Sequence, residues 1–136
     1  MCFSCKGQKD LSKAEQAILN ENLSLILEDD YSGLSLEENL IIRDAKTLQK
    51  FFSKINRTRK PGISVPKIDF SKSVIIVVCE GEHAKGKNVE LNILKETEQN
   101  IELQLKPTNT ETASKALVSP FKIYTLNTSR KDIIIR

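Results

Sequence analysis

The chain has 136 residues, the size of one ordinary domain that can bury a core without metal or disulfide support. Its hydrophobic fraction is 39% and its charged fraction is 29%, a balance typical of a globular protein. The net charge of +3 falls short of the concentrated basic surface that nucleic-acid binding usually needs, so we expect no nucleic-acid partner. No stretch of about 18 apolar residues is present to span a bilayer as a helix.

The N-terminal residues differ in character from the rest of the chain. Residues 1–21 are polar and lack strong periodicity, so we predict a tether that precedes a single domain over residues 22–136. Cys2 and Cys5 have C-x-x-C spacing. A redox motif should follow a strand and open a helix, and a zinc site needs more ligands, so we expect neither chemistry here.

Two strands and one helix are predicted in the first half of the domain. Leu23, Leu25 and Leu27 recur at every second position, which predicts a strand with these side chains on one face. Residues 39–43 predict a second strand. Asp44 then has the chemistry of a helix N-cap. The apolar residues that follow have the spacing of one face of an amphipathic helix: Ala45, Leu48, Phe51, Phe52 and Ile55.

The predicted helix should end by about Arg57, because Pro61 and Gly62 cannot continue it. Four cations crowd this end, namely Lys54, Arg57, Arg59 and Lys60. They could form an anion site, but cations near a helix C-terminus also complement its dipole. We favour the second interpretation.

The second half of the domain has only strand patterns. Residues 74–79 are apolar at every position, which predicts a central strand covered on both faces, with Cys79 as a small buried hydrophobe. The other strands are predicted at residues 88–94 and 101–105, paired as a hairpin, and at residues 121–126 and 133–135. The sequence therefore predicts an α+β fold with one amphipathic helix packed on a mainly antiparallel sheet of about six to seven strands.

His83 is the only histidine, so any Ser–His or Cys–His mechanism must use it. It lies among residues 80–87, which lack the glycine spacing of a phosphate-binding loop. We interpret His83 as a solvated loop residue and expect no enzymatic activity, no metal and no cofactor. The alternative is a small ligand-binding domain or a hydrolase that uses the loop around His83.

Several segments together resemble a known family. They are Phe51-Phe52, Val65-Pro66-Lys67-Ile68-Asp69-Phe70-Ser71-Lys72, Val74-Ile75-Ile76-Val77-Val78, Gly81-Glu82 and Lys115-Ala116-Leu117-Val118-Ser119-Pro120-Phe121-Lys122-Ile123. The chain from Leu40 onward resembles the C-terminal domain of the PrcB family, bacterial protease-complex stability subunits, with Pro66 to Phe70 as the most specific match. The resemblance implies a non-enzymatic cell-envelope protein, often anchored as a lipoprotein, that binds or stabilises a partner protein, such as a protease.

One segment departs from the family pattern. After Gly-Glu the family usually carries Thr-Gly-Gly-Tyr, whereas this chain has Lys85-Gly86-Lys87-Asn88. Lys87 replaces a glycine that permits more backbone angles, and Asn88 replaces an aromatic residue. Any binding role of that family motif is therefore in question for this chain.

The residues around Cys5 resemble the start of a mature bacterial lipoprotein. Ser4 is a small residue before the cysteine, and a polar stretch follows it. This resemblance implies lipidation at Cys5 and a location in the bacterial cell envelope, facing the periplasm or the surface, with the lipid anchor as the only membrane contact. A lipoprotein precursor carries an apolar signal segment before this cysteine, and without that segment a cytosolic tail is the alternative.

Two loops are the candidates for contact with a protein partner, because function concentrates on loops held by a rigid scaffold. Residues 107–119 predict a connection that is longer than most. In the other loop, the candidate residues are Glu82, His83, Lys85 and Lys87. The two lysines would steer an acidic partner more than tighten its binding.

Overall fold

The computed structural model describes residues 22–57, 59–109, 114–128 and 130–136, and these residues form nine strands and one helix. The elements are β1 (Leu23–Asp29), β2 (Glu37–Ile42), α1 (Ala45–Ile55), β3 (Val74–Glu80), β4 (His83–Ala84), β5 (Lys87–Glu96), β6 (Asn100–Asn109), β7 (Leu117–Val118), β8 (Phe121–Leu126) and β9 (Asp132–Ile135). The tether predicted over residues 1–21, with Cys2 and Cys5, lies outside the described residues.

The strands form three sheets. A four-stranded sheet has the order β1-β8-β3-β2 and is antiparallel throughout. A three-stranded sheet has the order β5-β6-β9, with β6 and β9 parallel, and β4 pairs with β7. The α+β class and the mainly antiparallel pairing are confirmed. The described strands number nine and are divided among three sheets rather than one, because β5, β6 and β9 pair with one another. The sequence did not reveal β4 and β7, which have only two residues each and no periodicity.

Strand β3 lies between two hydrophobic cores, as its uniformly apolar sequence predicts. On one face, alternate residues of β3 pack with α1 in a cluster of Ile42, Leu48, Phe51, Phe52, Ile55, Ile75, Val77, Cys79, Phe121 and Ile123. On the other face, the three-stranded sheet supplies part of a cluster of Val74, Ile76, Val78, Leu91, Ile93, Ile101, Leu103, Tyr124 and Leu126. The domain therefore has three layers, with the four-stranded sheet in the middle.

The helix confirms the capping prediction. Asp44 Oδ1 accepts a hydrogen bond from Thr47 N at 2.8 Å. This bond, followed by one from the Thr47 hydroxyl, lowers the pKa of Asp44 below its ordinary value. The buried face consists of Leu48, Phe51, Phe52 and Ile55, while Ala45 is exposed although it fits the spacing. The helix ends at Ile55, close to the predicted limit.

The cations at the C-terminal end of the helix do not form a single site. Lys54 lies in the last turn of α1, where it complements the helix dipole. Arg59 reaches away from the helix and forms an ion pair with Asp29 Oδ2 at 2.8 Å. It also donates to the carbonyl of Tyr31. Arg59 therefore ties the segment after α1 to the end of β1.

Strand β1 does not place Leu23, Leu25 and Leu27 on one face, so that prediction is wrong. A β-bulge between Leu25 and Leu27 shifts the register against β8. A bulge adds a residue to one strand and reverses which face the following side chains occupy. Leu23 accordingly packs with the cluster beside the three-stranded sheet, Leu27 packs with the cluster beside α1, and Leu25 is 46% exposed.

The outer edge of β5 is closed by side chains from β8. Lys122 Nζ donates to the carbonyl of Val89 at 2.8 Å, and Leu91 N donates to the Tyr124 hydroxyl at 3.3 Å. Burial raises the pKa of Tyr124, so its hydroxyl stays protonated at neutral pH. Residues two apart on a strand share a face, so the two side chains cap two backbone groups of the neighbouring sheet.

The predicted hairpin is confirmed and is longer than expected. Strands β5 and β6 pair over ten residues each, and Thr97 N donates to Asn100 O at the turn. The long loop predicted over residues 107–119 is shorter, because β6 extends to Asn109 and Leu117–Val118 form β7. Residues 110–113 lie outside the described part of the chain.

Candidate functional site

The segment that carries the predicted contact residues begins with a tight turn after β3. Gly81 has φ of +73°, and a Cβ at this position would lie 2.9 Å from Glu37 N and 3.1 Å from Ser35 O. Glu82 N then donates to Ser35 O at 3.1 Å. The backbone before β2 therefore presses against the turn, and only glycine fits there. The Glu82 side chain is exposed.

His83 is held by hydrogen bonds, so its interpretation as a solvated loop residue is wrong. Its Nε2 lies 3.1 Å from Glu80 Oε1, and its Nδ1 lies 2.8 Å from Ala84 O. The side chain is 23% exposed, and that of Glu80 is 5% exposed. Both ring nitrogens thus face oxygen atoms, one of a carboxylate and one of a backbone carbonyl, rather than a serine or cysteine side chain.

Lys85 and Lys87 flank a glycine on a segment whose backbone is fixed. Lys85 N donates to Ala116 O at 2.9 Å, and Ser114 N donates to Lys85 O at 3.1 Å. Gly86 has φ of +135°, which allows the chain to turn between β4 and β5. The two lysines are exposed at the ends of this turn, so their charges are presented from a rigid support.

The two lysines line an open cleft of about 440 Å³. Its other residues are Glu28, Asp29, Asp30, Gly86, Asn88, Val118, Pro120, Phe121 and Lys122. The acidic residues lie at the end of β1 or directly after it, whereas Lys85 directly follows β4 and Lys87 begins β5. We name this surface the lysine cleft. It has both charge signs.

The structure brings together only some of the predicted contact residues. Lys85 and Lys87 share the lysine cleft, but Glu82 and His83 are not among its lining residues. The sequence did not predict Asp29 or Asp30 as contact residues. Their position follows from the pairing of β1 with β8, which has no local sequence signal.

Three features of the described residues bear on metal binding, thiol reactivity and membrane crossing. No group of three or more His, Cys, Asp or Glu side chains in them could hold a metal ion. Cys79 is buried, and burial raises the pKa of its thiol to about 11, so it is protonated at neutral pH as expected of a small hydrophobe. None of the described residues belongs to a helix with the length and hydropathy that membrane crossing requires.

The fold and the cleft define a three-layer α+β domain with a mixed-charge surface cleft. Comparisons with family models, with curated proteins and with solved structures found no match to this chain. The resemblance to the PrcB family stays a prediction from the sequence. In the structure, Ile68 and Phe70 of its most specific segment pack against the cluster beside α1.

Proposed function

We propose that this chain is a non-catalytic domain of the bacterial cell envelope that binds a partner protein through the lysine cleft. The observation that carries the proposal is the pairing of Lys85 and Lys87 at the rim of an open cleft, on a backbone fixed by Gly81 and by the β4–β7 pair. A rigid support lowers the entropy that binding costs. Rim charges of this kind mainly accelerate association.

The geometry of His83 favours this function over the alternative of a hydrolase or a ligand-binding domain centred on that residue. His83 lies beside the carboxylate of Glu80 but does not line the lysine cleft. Its ring nitrogens contact Glu80 and a backbone carbonyl rather than a serine or cysteine. These contacts support a structural role, in which His83 holds β4 against the end of β3.

The resemblance to the PrcB family and to lipoprotein N-termini adds the location and the kind of partner. We propose that a lipid on Cys5 anchors the chain, that the domain faces the periplasm or the cell surface, and that a protease is the first partner class to test. No cofactor or nucleic acid is part of this proposal.

Reversal of both cleft lysines, Lys85→Glu with Lys87→Glu, is expected to slow association with the partner about tenfold at low salt. The remaining rim would be acidic, because Glu28 and Asp30 lie on its other side. The salt dependence of the association rate should also weaken. The measurement is surface plasmon resonance against the protein that the wild-type domain captures from native envelope membranes.

A matched control for this experiment is Lys95→Glu with Lys106→Glu. Both residues are exposed and lie outside the lysine cleft, so the net charge changes equally while the cleft is intact. The control should associate within about twofold of the wild-type rate. An association rate that the cleft variant leaves unchanged would show that the partner docks elsewhere.

The variant Cys5→Ala is expected to leave the envelope fraction, because a domain without its acyl chains loses the apolar contribution of about 0.8 kcal/mol per buried methylene group. The chain is expressed with its complete upstream reading frame, and cells are fractionated into envelope and soluble material. Intact mass measurement should show loss of the lipid as well. An unchanged mass and an unchanged distribution would contradict the anchor.

A further inference from the structure

The helical layer carries a large part of the positive charge of the chain. Residues 45–72 contain eight basic residues and one acidic residue, a net charge of +7, whereas the whole chain has +3. The rest of the chain is therefore net negative. This segment forms α1 and the extended chain after it, where Ile63, Ile68 and Phe70 pack against the cluster beside α1. The charge is thus concentrated on one layer.

Most of this charge is not neutralised within the domain. Seven of the eight basic residues are exposed: Lys46, Lys50, Lys54, Arg57, Lys60, Lys67 and Lys72. The four ion pairs among the described residues involve none of the seven, and only Arg59 of this layer has an ionic partner, Asp29. The layer therefore presents a positive field that an acidic partner would complement.

A groove of about 510 Å³ lies on this layer between α1 and Val65. We name it the helix groove. Val65, which is 40% exposed, gives it an apolar part, whereas Phe52, also in its lining, is almost fully buried. Gln49 and Ser53 add polar groups, and Lys46 and Lys50 add charge. A concave surface with an apolar part and a basic side suits a chain that carries both apolar and acidic side chains.

The spacing across the helix groove is set by Asn56, which follows α1. Asn56 Nδ2 donates to Ile63 O at 2.9 Å, and Ile63 N donates to Asn56 Oδ1 at 2.8 Å. A Cβ on Gly62 would lie 3.0 Å from Asn56 Cγ, so the chain passes close to this side chain. The groove is therefore formed before any ligand binds, which reduces the ordering cost of binding.

The spacing of the lysines indicates the conformation of the ligand. Lys46 and Lys50, the two lysines that line the groove, lie four positions apart on α1, a rise of about 6 Å. Alternate residues of an extended peptide are separated by about 6.8 Å. We propose that the helix groove binds an extended segment of a partner protein in which acidic residues alternate with apolar residues. The acidic side chains would face the lysines, and the apolar ones would face Val65.

The geometry favours a peptide over an anionic membrane surface. A helix that lies in a membrane interface inserts its apolar face among the lipids. The apolar face of α1, formed by Leu48, Phe51, Phe52 and Ile55, is already buried in the core. The site is also concave, whereas a membrane surface is flat on this scale. The proposal does not depend on the lysine cleft, which lies on other elements.

Two fluorescein-labelled peptides of equal composition test the proposal, one with alternating Glu and Leu, the other with a Glu block followed by a Leu block. Fluorescence anisotropy at low salt should show that the wild-type domain binds the alternating peptide about tenfold more tightly. The variant Lys46→Glu with Lys50→Glu should lose this preference. The control Lys85→Glu with Lys87→Glu, which alters the lysine cleft, should keep it. Circular dichroism verifies that both variants fold.

Three outcomes would overturn the proposal. The first is equal affinity of the wild-type domain for the two peptides. The second is a wild-type domain that binds neither peptide but binds phosphatidylglycerol vesicles, with vesicle binding lost in the variant Lys46→Glu with Lys50→Glu. The surface would then serve a membrane. The third is no binding to any of these probes. None of these outcomes bears on the lysine cleft, so the two proposals fail separately.

Discussion

Replacement of Ile76 by Ala is expected to lower the free energy of unfolding by about 3 to 4 kcal/mol. Ile76 has no exposed surface and belongs to the cluster between the four-stranded and three-stranded sheets. The loss combines the transfer of the removed methylene and methyl groups with the cavity that they leave in a packed interior. Urea denaturation followed by circular dichroism measures the change.

Ile75, which precedes Ile76 in β3, provides the matched comparison. Ile75 has the same exposure but faces α1, so Ile75→Ala should cost a similar amount. Ile41 on β2 is the cross-strand partner of Ile76 and is 38% exposed, so Ile41→Ala should cost only about 1 kcal/mol. A value for Ile76→Ala as small as that for Ile41→Ala would show that no layer covers the second face of β3.

Substitution of Gly81 by Ala is expected to destabilise the domain by about 3 kcal/mol, since it adds backbone strain and a steric conflict. The residue has φ of +73°, where a side chain is strained. The new Cβ would also lie 2.9 Å from Glu37 N and 3.1 Å from Leu36 C. Both contacts are with backbone, so β2 would have to move. Thermal unfolding by calorimetry measures the loss.

Gly33 separates the two causes. It has a similar φ of +78°, but a Cβ there would meet nothing within 4 Å. Gly33→Ala should therefore cost about 1 to 2 kcal/mol, the strain of a left-handed alanine alone. An equal loss of unfolding free energy at the two glycines would mean that the contact between the Gly81 turn and β2 does not fix the backbone that carries Lys85 and Lys87.

Local sequence patterns predicted most of the elements, because each depends on neighbouring residues. Asp44 predicted the start of α1, since an N-cap bonds within its own turn. The apolar run over β3 predicted burial on both faces, since only a covered strand can lack polar positions. These signals do not depend on which strand pairs with which.

The errors arose where the structure depends on distant residues. The bulge after Leu25 is defined against β8, which lies about a hundred residues later in the sequence, so alternation alone misplaced Leu27. The bond from His83 to Glu80 requires the turn at Gly81. Two residues of the lysine cleft, Lys85 and Lys87, were predicted as contact residues, whereas its acidic side required the pairing of β1 with β8.

Site-specific photo-cross-linking in intact cells tests the central claim most directly, that a partner protein docks at the lysine cleft. Lys87→benzoylphenylalanine places the reactive group at the cleft rim, and Glu98→benzoylphenylalanine places it at the exposed turn between β5 and β6 as a control. We expect irradiation to produce an adduct with one other envelope protein from position 87 and none from position 98. The absence of an adduct at position 87, or the same adducts from both positions, would contradict the proposed docking surface.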